Sequence, residues 1–539
     1  MRTRCFFLFL LPTLVLLTPV SAAAVPGKIV KRFPTPGCCP TGLTFDGESL
    51  WLADRNTDLL YRIDPKNGRV VASFPAPGFQ VEGLASEEKN LWVLDTEYNK
   101  VLKLDPQTGI AEREIPVHCS SPQGLTFDGE HLWVADIKSR RLYQISTEDG
   151  TTITDVPSPS EEPHGLTYDG HYLWVSERTD DMIYMVRPDS GDVVLAFPSP
   201  SKFPRGLAFD GEFLWNVDYE TDTLYQIRRQ SAASRVRTDG KKETLELVHQ
   251  VRNYGPGELV SLDIYLAVPR NLYSQKLLAS PKFTPEPHGF VKDEWGQKMA
   301  HYHYANVPAG RFVTVSWKAE VELFKTRFFL FPEKAGSLSD VPKEIQDRYL
   351  CDGSKYWIND AYIQKTAKDV VGDETNCYWI ARKLFEHVTR RMHYERTGGW
   401  NVAPTVLKRG NGSCSEYSFV YISLCRAAGL PARYVGSIVI RGDDASTDDG
   451  VFHRWPEVYL PNYGWVPVDP SAVRGASDSP ARKVGVIGYR ENRYLITTTG
   501  GGGSEYLEWD YNSNATWRSK GPCKVETERF GEWSPLGED

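Results

Sequence analysis

Three features of the sequence predict a multidomain protein in which an all-β five-bladed propeller is followed by an antiparallel β-sandwich and then an α+β domain. The first is a motif that returns every 41 residues, the second a stretch of strict hydrophobic alternation, and the third a change to helical periodicity around a single cysteine. A length of 539 residues accommodates three such units at roughly 100 to 200 residues per domain. Hydrophobic residues at 41% and charged residues at 24% match globular usage and exclude wholesale disorder. With 62 basic against 70 acidic residues the chain lacks the basic footprint of a nucleic-acid binder.

The N-terminus reads as a leader. Arg2 and Arg4 precede an apolar run from Phe6 to Leu17, and the small-residue ending Thr18 to Ala22 suits a secretory signal peptide over residues 1–22. The run is short for a membrane span. The expectation is a periplasmic or secreted protein with no membrane span after cleavage.

Residues 27–230 carry the repeat. Gly42, Gly83, Gly124, Gly165 and Gly206 are each 41 residues apart, as are Trp51, Trp92, Trp133, Trp174 and Trp215. Each unit reads as four short strands, with an Asp-Gly turn between the first two in most units, which is the signature of a propeller blade. The stretch Gly27 to Gly37 matches Gly68 to Gly78, a fourth strand, whereas the fifth unit stops near Gln230 without one. The N-terminal strand is therefore expected to complete the last blade and leave no open sheet edge. The units resemble NHL and lactonase-like propellers. Two sets of loop residues share one face: Asp54, Asp95, Asp136, Glu177 and Asp218, and Thr41, Glu82, Gln123, His164 and Arg205. They can form a ligand surface, with Glu82, Gln123, His164 and Arg205 supplying its variable chemistry, or the acidic set can cap its own turns.

Residues 235–335 alternate as Leu245, Leu247, His249 and Val251, then Val260, Leu262, Ile264, Leu266 and Val268, then Val313 through Leu323. Such alternation marks strands with one buried face and predicts the sandwich. His301 and His303 share a strand face, and without a third ligand nearby they read as strand histidines rather than a metal site.

Residues 340–475 form the third unit. Cys377, Ile380, Ala381, Leu384 and Val388 make one helical stripe, and a Gly-rich loop, Gly398-Gly399-Trp400, follows. Ser413 and Glu416 form a capping box that starts a helix with Cys414 in its first turn. Unpaired N–H groups and the positive end of the helix dipole stabilise a thiolate there. Downstream, Phe452-His453 to Leu460 and Trp465 to Asp469 read as a hairpin around the turn Pro461 to Gly464. His453 can take the thiol proton and Asp469 can fix its tautomer. Pro456 is expected to interrupt the His453 strand as a bulge.

These motifs, Gly-x-Cys-x-Glu, Arg-Ala-Ala-Gly-Leu-Pro-Ala-Arg433 and His-x-Trp-x-Glu-Val-Tyr with Gly-Trp-x-x-x-Asp, resemble the transglutaminase-like superfamily of papain-type cysteine enzymes over Tyr362 to Ser471. The resemblance implies a nucleophile at Cys414, a general base and then acid at His453, and an orienting group at Asp469. It also suggests an aromatic oxyanion partner, for which Trp400 is the candidate. No cofactor or metal is expected. The acidic loop of Asp443, Asp444, Asp448 and Asp449 does not have EF-hand spacing and reads as a solvated hairpin loop. Residues 476–539 are expected to form a C-terminal β extension. Among the cysteines, Cys425 reads as a buried free thiol, and Cys351 with Cys377 and Cys38 or Cys39 with Cys119 are the favoured pairings.

The function implied is an extracytoplasmic cysteine-dependent acyl transfer on peptide or carboxamide bonds of a protein or peptide substrate. Hydrolysis is slightly favoured over amine transfer, with the propeller recruiting a protein or cell-wall partner. The alternative is a non-enzymatic propeller scaffold with a vestigial thiol domain.

Overall fold

The computed structural model describes residues 25–536 apart from 88–89, 231–232, 397–399, 443–446 and 474–478. The predicted leader, Gly398-Gly399, and Asp443 and Asp444 lie outside the described residues. The 41-residue unit folds as five four-stranded antiparallel sheets. The physical reason for the period is one repeated bond. The indole N–H of Trp51 donates to Asp46 at 2.7 Å, and Trp92, Trp133, Trp174 and Trp215 donate in the same way to Glu87, Asp128, Asp169 and Asp210 at 2.7–2.9 Å. Each bond ties the turn after the inner strand to the second strand, and each Trp is almost fully buried.

The glycine of each Gly-Leu pair lies where neighbouring inner strands converge. A Cβ on Gly165 would sit 2.1 Å from the Arg205 carbonyl oxygen, and one on Gly206 would sit 2.6 Å from that of Thr41, so the last blade abuts the first and the ring is closed. The N-terminal strand Ile29–Pro34 pairs antiparallel with Thr223–Arg228 and completes the fifth sheet, as the sequence predicts.

The outer strands are exposed in every blade except the fourth, where Val193–Pro198 is buried. Against it packs the short helix Pro480–Val486, and the Tyr378 hydroxyl reaches the Val194 carbonyl at 3.4 Å. The guanidinium of Arg187 lies over the Trp379 ring at 4.6 Å. The propeller is thus joined to the third unit through the rim of one blade.

In the middle region Arg235–Ala267 forms one continuous 33-residue strand, where the alternation suggested two. It pairs with Phe312–Phe328 along its first half and with Lys298–Val307 along its second. The sheet curls so that Trp317 Nε1 donates to the Ala267 carbonyl at 2.9 Å, with Leu247, Ile264 and Val321 in the core between. A register shift between Leu259 and Ser261 moves Val260 outward, to 38% exposure, and Leu259 inward.

The stretch 476–539 is not a single extension. Tyr494–Gly500 is the edge strand of the sheet that carries His453, whose order is Gly464–Pro467, His453–Leu460, Ala432–Val439, Tyr494–Gly500. Ser513–Pro535 instead pairs along most of Arg235–Ala267. Two distant partners offer unsatisfied strand edges, and the tail divides between them. The expected bulge at Pro456 is absent: the ladder with Ala432–Val439 passes through it in register, and its carbonyl still accepts from Val468 N at 2.9 Å. Helices Ala361–Val371, Cys377–Arg391 and Cys414–Ala427 lie where the apolar periodicity places them. All eight described cysteines are free, so neither favoured pairing is formed.

Val194 and Val71 occupy equivalent positions in blades four and one but are 2% and 61% exposed. Val194→Asp is expected to destabilise the chain by about 2–4 kcal/mol, and Val71→Asp by no more than about 0.5 kcal/mol, in denaturant unfolding. Equal effects would show that blade four is not the attachment.

Candidate active site

Cys414 is the first residue of the helix Cys414–Ala427, with Ser413 as its N-cap. The helix start is fixed by Glu416, a fully buried carboxylate that accepts from Ser413 N at 3.2 Å, Asn401 N at 3.0 Å and Arg409 Nη2 at 3.0 Å. A substituent on Gly412 would approach the Glu416 side chain to 2.8 Å, so glycine is required beside that carboxylate. His453 opens its strand within hydrogen-bonding reach of the Cys414 thiol. Its Nε2 meets Asp469 Oδ2 at 2.7 Å, which leaves Nδ1 for the sulfur. Asp469 is 2% exposed and caps the turn Pro470–Ala472, its Oδ1 accepting from Ser471 N at 3.1 Å and Ser471 Oγ at 2.6 Å.

Burial alone raises the pKa of the Cys414 thiol, but the hydrogen bond and charge of His453, with the backbone N–H of Arg454, outweigh it and hold the thiol below its ordinary value. Burial lowers the pKa of His453, and the charge and hydrogen bond of Asp469 overcome this and lift it to about 10. Asp469 is likewise penalised by burial and is held well below the carboxylate range by His453 and Arg490. Both shifts act in the same direction, favouring the thiolate–imidazolium form over the neutral pair.

A cavity of about 340 Å³ opens over Cys414. Trp400 lines it, as the sequence suggests, with Tyr394, Arg396, Val451 and Tyr511. The Trp400 ring stacks on Tyr511 at 6.4 Å between centroids. Beneath the two, the fully buried guanidinium of Arg454 lies 5.3 Å from the Trp400 ring and 4.2 Å from that of Tyr511. Sequence reasoning missed Tyr511, Arg454 and Arg490. Arg454 had a local signal, since it follows His453 directly and must point to the other face of the strand.

The structure also brings the propeller candidates together. Arg205 Nη1 meets His164 Nδ1 at 3.0 Å and Glu82 at 3.4 Å, while Gln123 Oε1 meets His164 at 3.2 Å. Burial, with Arg205 and Arg178 nearby, pushes the His164 pKa down to about 3, so this histidine is neutral. The second, acidic set caps turns: Asp54 accepts from Thr57 N at 2.9 Å, and Asp218 from Thr221 N at 2.9 Å. His301 and His303 share Asp263 Oδ1 at 2.8 and 2.9 Å. Asp449 is buried and paired with Arg441 at 2.9 Å, so this member of the acidic loop is not solvated.

Fold and site together define a β-propeller fused to a domain with a buried cysteine–histidine–aspartate constellation. Residues 364–470 match the family model of the Transglutaminase-like superfamily, and residues 22–227 that of the Virginiamycin B lyase family. The chain thus carries a transglutaminase-like domain behind a lyase-type propeller.

Among solved structures, a candidate cysteine protease from Cytophaga hutchinsonii is 15% identical, with 55% of this chain and 92% of that one covered and a TM-score of 0.39. The glutaminyl cyclase of Myxococcus xanthus is 15% identical over 38% of this chain and 97% of its own, with a TM-score of 0.35. Virginiamycin B lyase from Staphylococcus aureus is 22% identical over 36% and 68%, with a TM-score of 0.26. An uncharacterized protein of Haemophilus influenzae is 27% identical over 160 residues, a match that spans 24% of this chain and 43% of that protein.

The shifted groups fix a pH window. Iodoacetamide should alkylate Cys414 at rates that stay high below the ordinary thiol pKa of about 8.5, and His453→Ala should slow the reaction at pH 6 by about tenfold or more. His453 is raised in the folded state to about 10, so its stabilisation is complete below its unfolded value of about 6.5 and is lost as pH rises towards 10. Asp469 is lowered, so its stabilisation is present above about pH 4 and is lost on acidification. Thermal melts of wild type and His453→Ala should differ most between pH 4 and 6.5 on this scale. A constant difference from pH 5 to pH 10 would contradict the assigned ion pair.

Proposed function

We propose that the protein is a cysteine-dependent acyl-transfer enzyme acting on peptide or carboxamide bonds of a protein or peptide substrate. The observation that carries the reading is His453, joined through Nε2 to Asp469 at 2.7 Å and acting on the Cys414 thiol to lower its pKa. In the proposed reaction the Cys414 thiolate attacks the carbonyl carbon, and the oxyanion forms near the unpaired N–H groups of the helix start. His453 gives its proton to the departing nitrogen, which leaves as ammonia or an amine, and a thioester remains on Cys414. His453 then takes a proton from water as the water attacks the thioester, releasing the acid and restoring the pair. An amine in place of water would make the product a new amide. Hydrolysis is favoured, because water needs no acceptor site of its own.

The propeller is assigned the recruitment of a protein or cell-wall partner. Its support is the group Glu82, Gln123, His164 and Arg205, whose side chains meet at one end of the inner strands. With the leader-like residues 1–22, the proposed place of action is the periplasm or the exterior.

Wild type and Cys414→Ala are to be incubated with a glutamine-containing protein and a labelled primary amine, with ammonia, peptide fragments and incorporated amine measured separately. The expected result is release of ammonia or fragments by wild type and a loss of about 1000-fold or more in the variant. Failure to detect any Cys414-dependent product, together with slow alkylation of Cys414, would remove the enzyme reading and leave the propeller scaffold.

A further inference from the structure

A second cavity, of about 300 Å³, lies between the sheet that carries His453 and the middle sheet and shares no lining residue with the one over Cys414. It occupies the sheet face that Trp455 and Glu457 share with His453. Leu272, Phe328, Trp465 and Ile496 give it apolar walls. Arg490, 8% exposed, lines it while extending Nη1 to Asp469 at 3.4 Å. The Nε and Nη2 groups of that guanidinium have no hydrogen-bond partner. Beneath it, 4.4 Å from the guanidinium carbon, lies the Trp455 ring, whose Nε1–H is also buried and unpartnered. Of the other cations that line the cavity, Arg433 is satisfied by Glu457 at 2.7 and 2.8 Å, and Arg235 is exposed, its guanidinium lying 4.1 Å over the Tyr273 ring.

Nε–H and Nη2–H form the side-on fork of a guanidinium, the edge that holds both oxygens of a carboxylate. Three buried donors without acceptors carry a desolvation cost that a bound acceptor removes. One uncommitted fork and an apolar lining suit a single negative charge on a carbon skeleton, and the volume corresponds to about ten water molecules. We propose that this interdomain cavity binds a small monocarboxylate with an apolar body, either free or as the C-terminal residue of a peptide, and that occupancy reaches the active site through the guanidinium shared with Asp469. Binding here does not depend on the acyl-transfer reading, because Cys414 takes no part in it.

The test uses the full chain, as wild type and as Cys414→Ala, with 3-phenylpropionate and N-acetyl-Ala-Phe as probes, each set against its neutral amide. Calorimetry and tryptophan fluorescence should show saturable binding of at least one acid to both proteins, with a rise in melting temperature and the amides weaker by about tenfold or more. A response to the first acid alone identifies a free acid as the ligand, and a response to the second alone identifies a peptide terminus. Arg490→Gln should abolish binding. Trp455→Phe keeps the ring and should weaken binding several-fold, so it decides the matter if the arginine variant does not fold. Bound acid should also displace the pH profile of Cys414 alkylation in wild type. Absence of saturable binding, equal binding of acid and amide, or undiminished binding in Trp455→Phe and in any folded Arg490→Gln would overturn the site. Binding without movement of the alkylation profile would overturn its link to Asp469.

Discussion

Asp469 is a carboxylate removed from water, and the transglutaminase-like domain is organised around keeping it charged. An isolated ion in such a place is costly by several kcal/mol. Here the cost is offset from three directions: His453 at 2.7 Å, Arg490 at 3.4 Å, and the amide and hydroxyl of Ser471. The charge of Asp469 keeps a proton on His453, and the charged ring in turn stabilises a thiolate at Cys414. The helix start at Ser413 contributes to the same end, yet it sits in a buried position where desolvation works against the anion. Burial opposes the charged form of every member of the trio, so the cysteine owes its lowered pKa to His453 and the Arg454 N–H, and Asp469 acts on it only by keeping His453 charged.

What could be read from the sequence follows the range of the interactions involved. The propeller was legible because its stabilising bond is local, Trp to a carboxylate five residues earlier, and is repeated at a fixed period. The nucleophile helix was legible because Ser413 and Glu416 write its start in four residues, and the His453 hairpin because its turn separates two short strands. Arg490 and Tyr511 were not, since neither belongs to a periodic pattern and both act on partners outside their own elements. The fate of the C-terminal stretch was equally hidden. Alternation identifies a strand but not its neighbour, and Ser513–Pro535 pairs with residues more than 240 positions earlier. Val260 shows the converse failure, in which a perfect alternation was broken by a local bulge.

The manner of attachment separates the two ends of the propeller chemically. Contact with the third unit is made by an outer strand, whose Val193, Val194 and Leu195 replace the exposed residues found at that position in the other blades. The residues whose side chains differ from blade to blade, Glu82, Gln123, His164 and Arg205, lie on inner strands and bond to one another. The docking contact and the varied polar group therefore lie on different strands of the blade. His164 nevertheless carries a buried Nε2 without a partner, as does Asp218 at Oδ2 among the turn-capping acids.

The middle sheet does more than separate propeller from thiol domain. Arg490 pairs with Thr326 of the strand Phe312–Phe328, and Phe328 N donates to the Gly488 carbonyl at 2.7 Å, so the segment that delivers the guanidinium to Asp469 is pinned to that sheet. The sheet's own central strand is covered along most of its length by Ser513–Pro535. Activation of Cys414 thus depends on pairing between residues at both ends of the region from Arg235 to Pro535. Residues 364–470 alone contain Cys414, His453 and Asp469, but neither Arg490 nor Ser471, which also hold this carboxylate. Cut off at that boundary, the domain would keep His453 beside Asp469 but lose both Arg490 and the amide and hydroxyl of Ser471, leaving the buried carboxylate with one of its three partners.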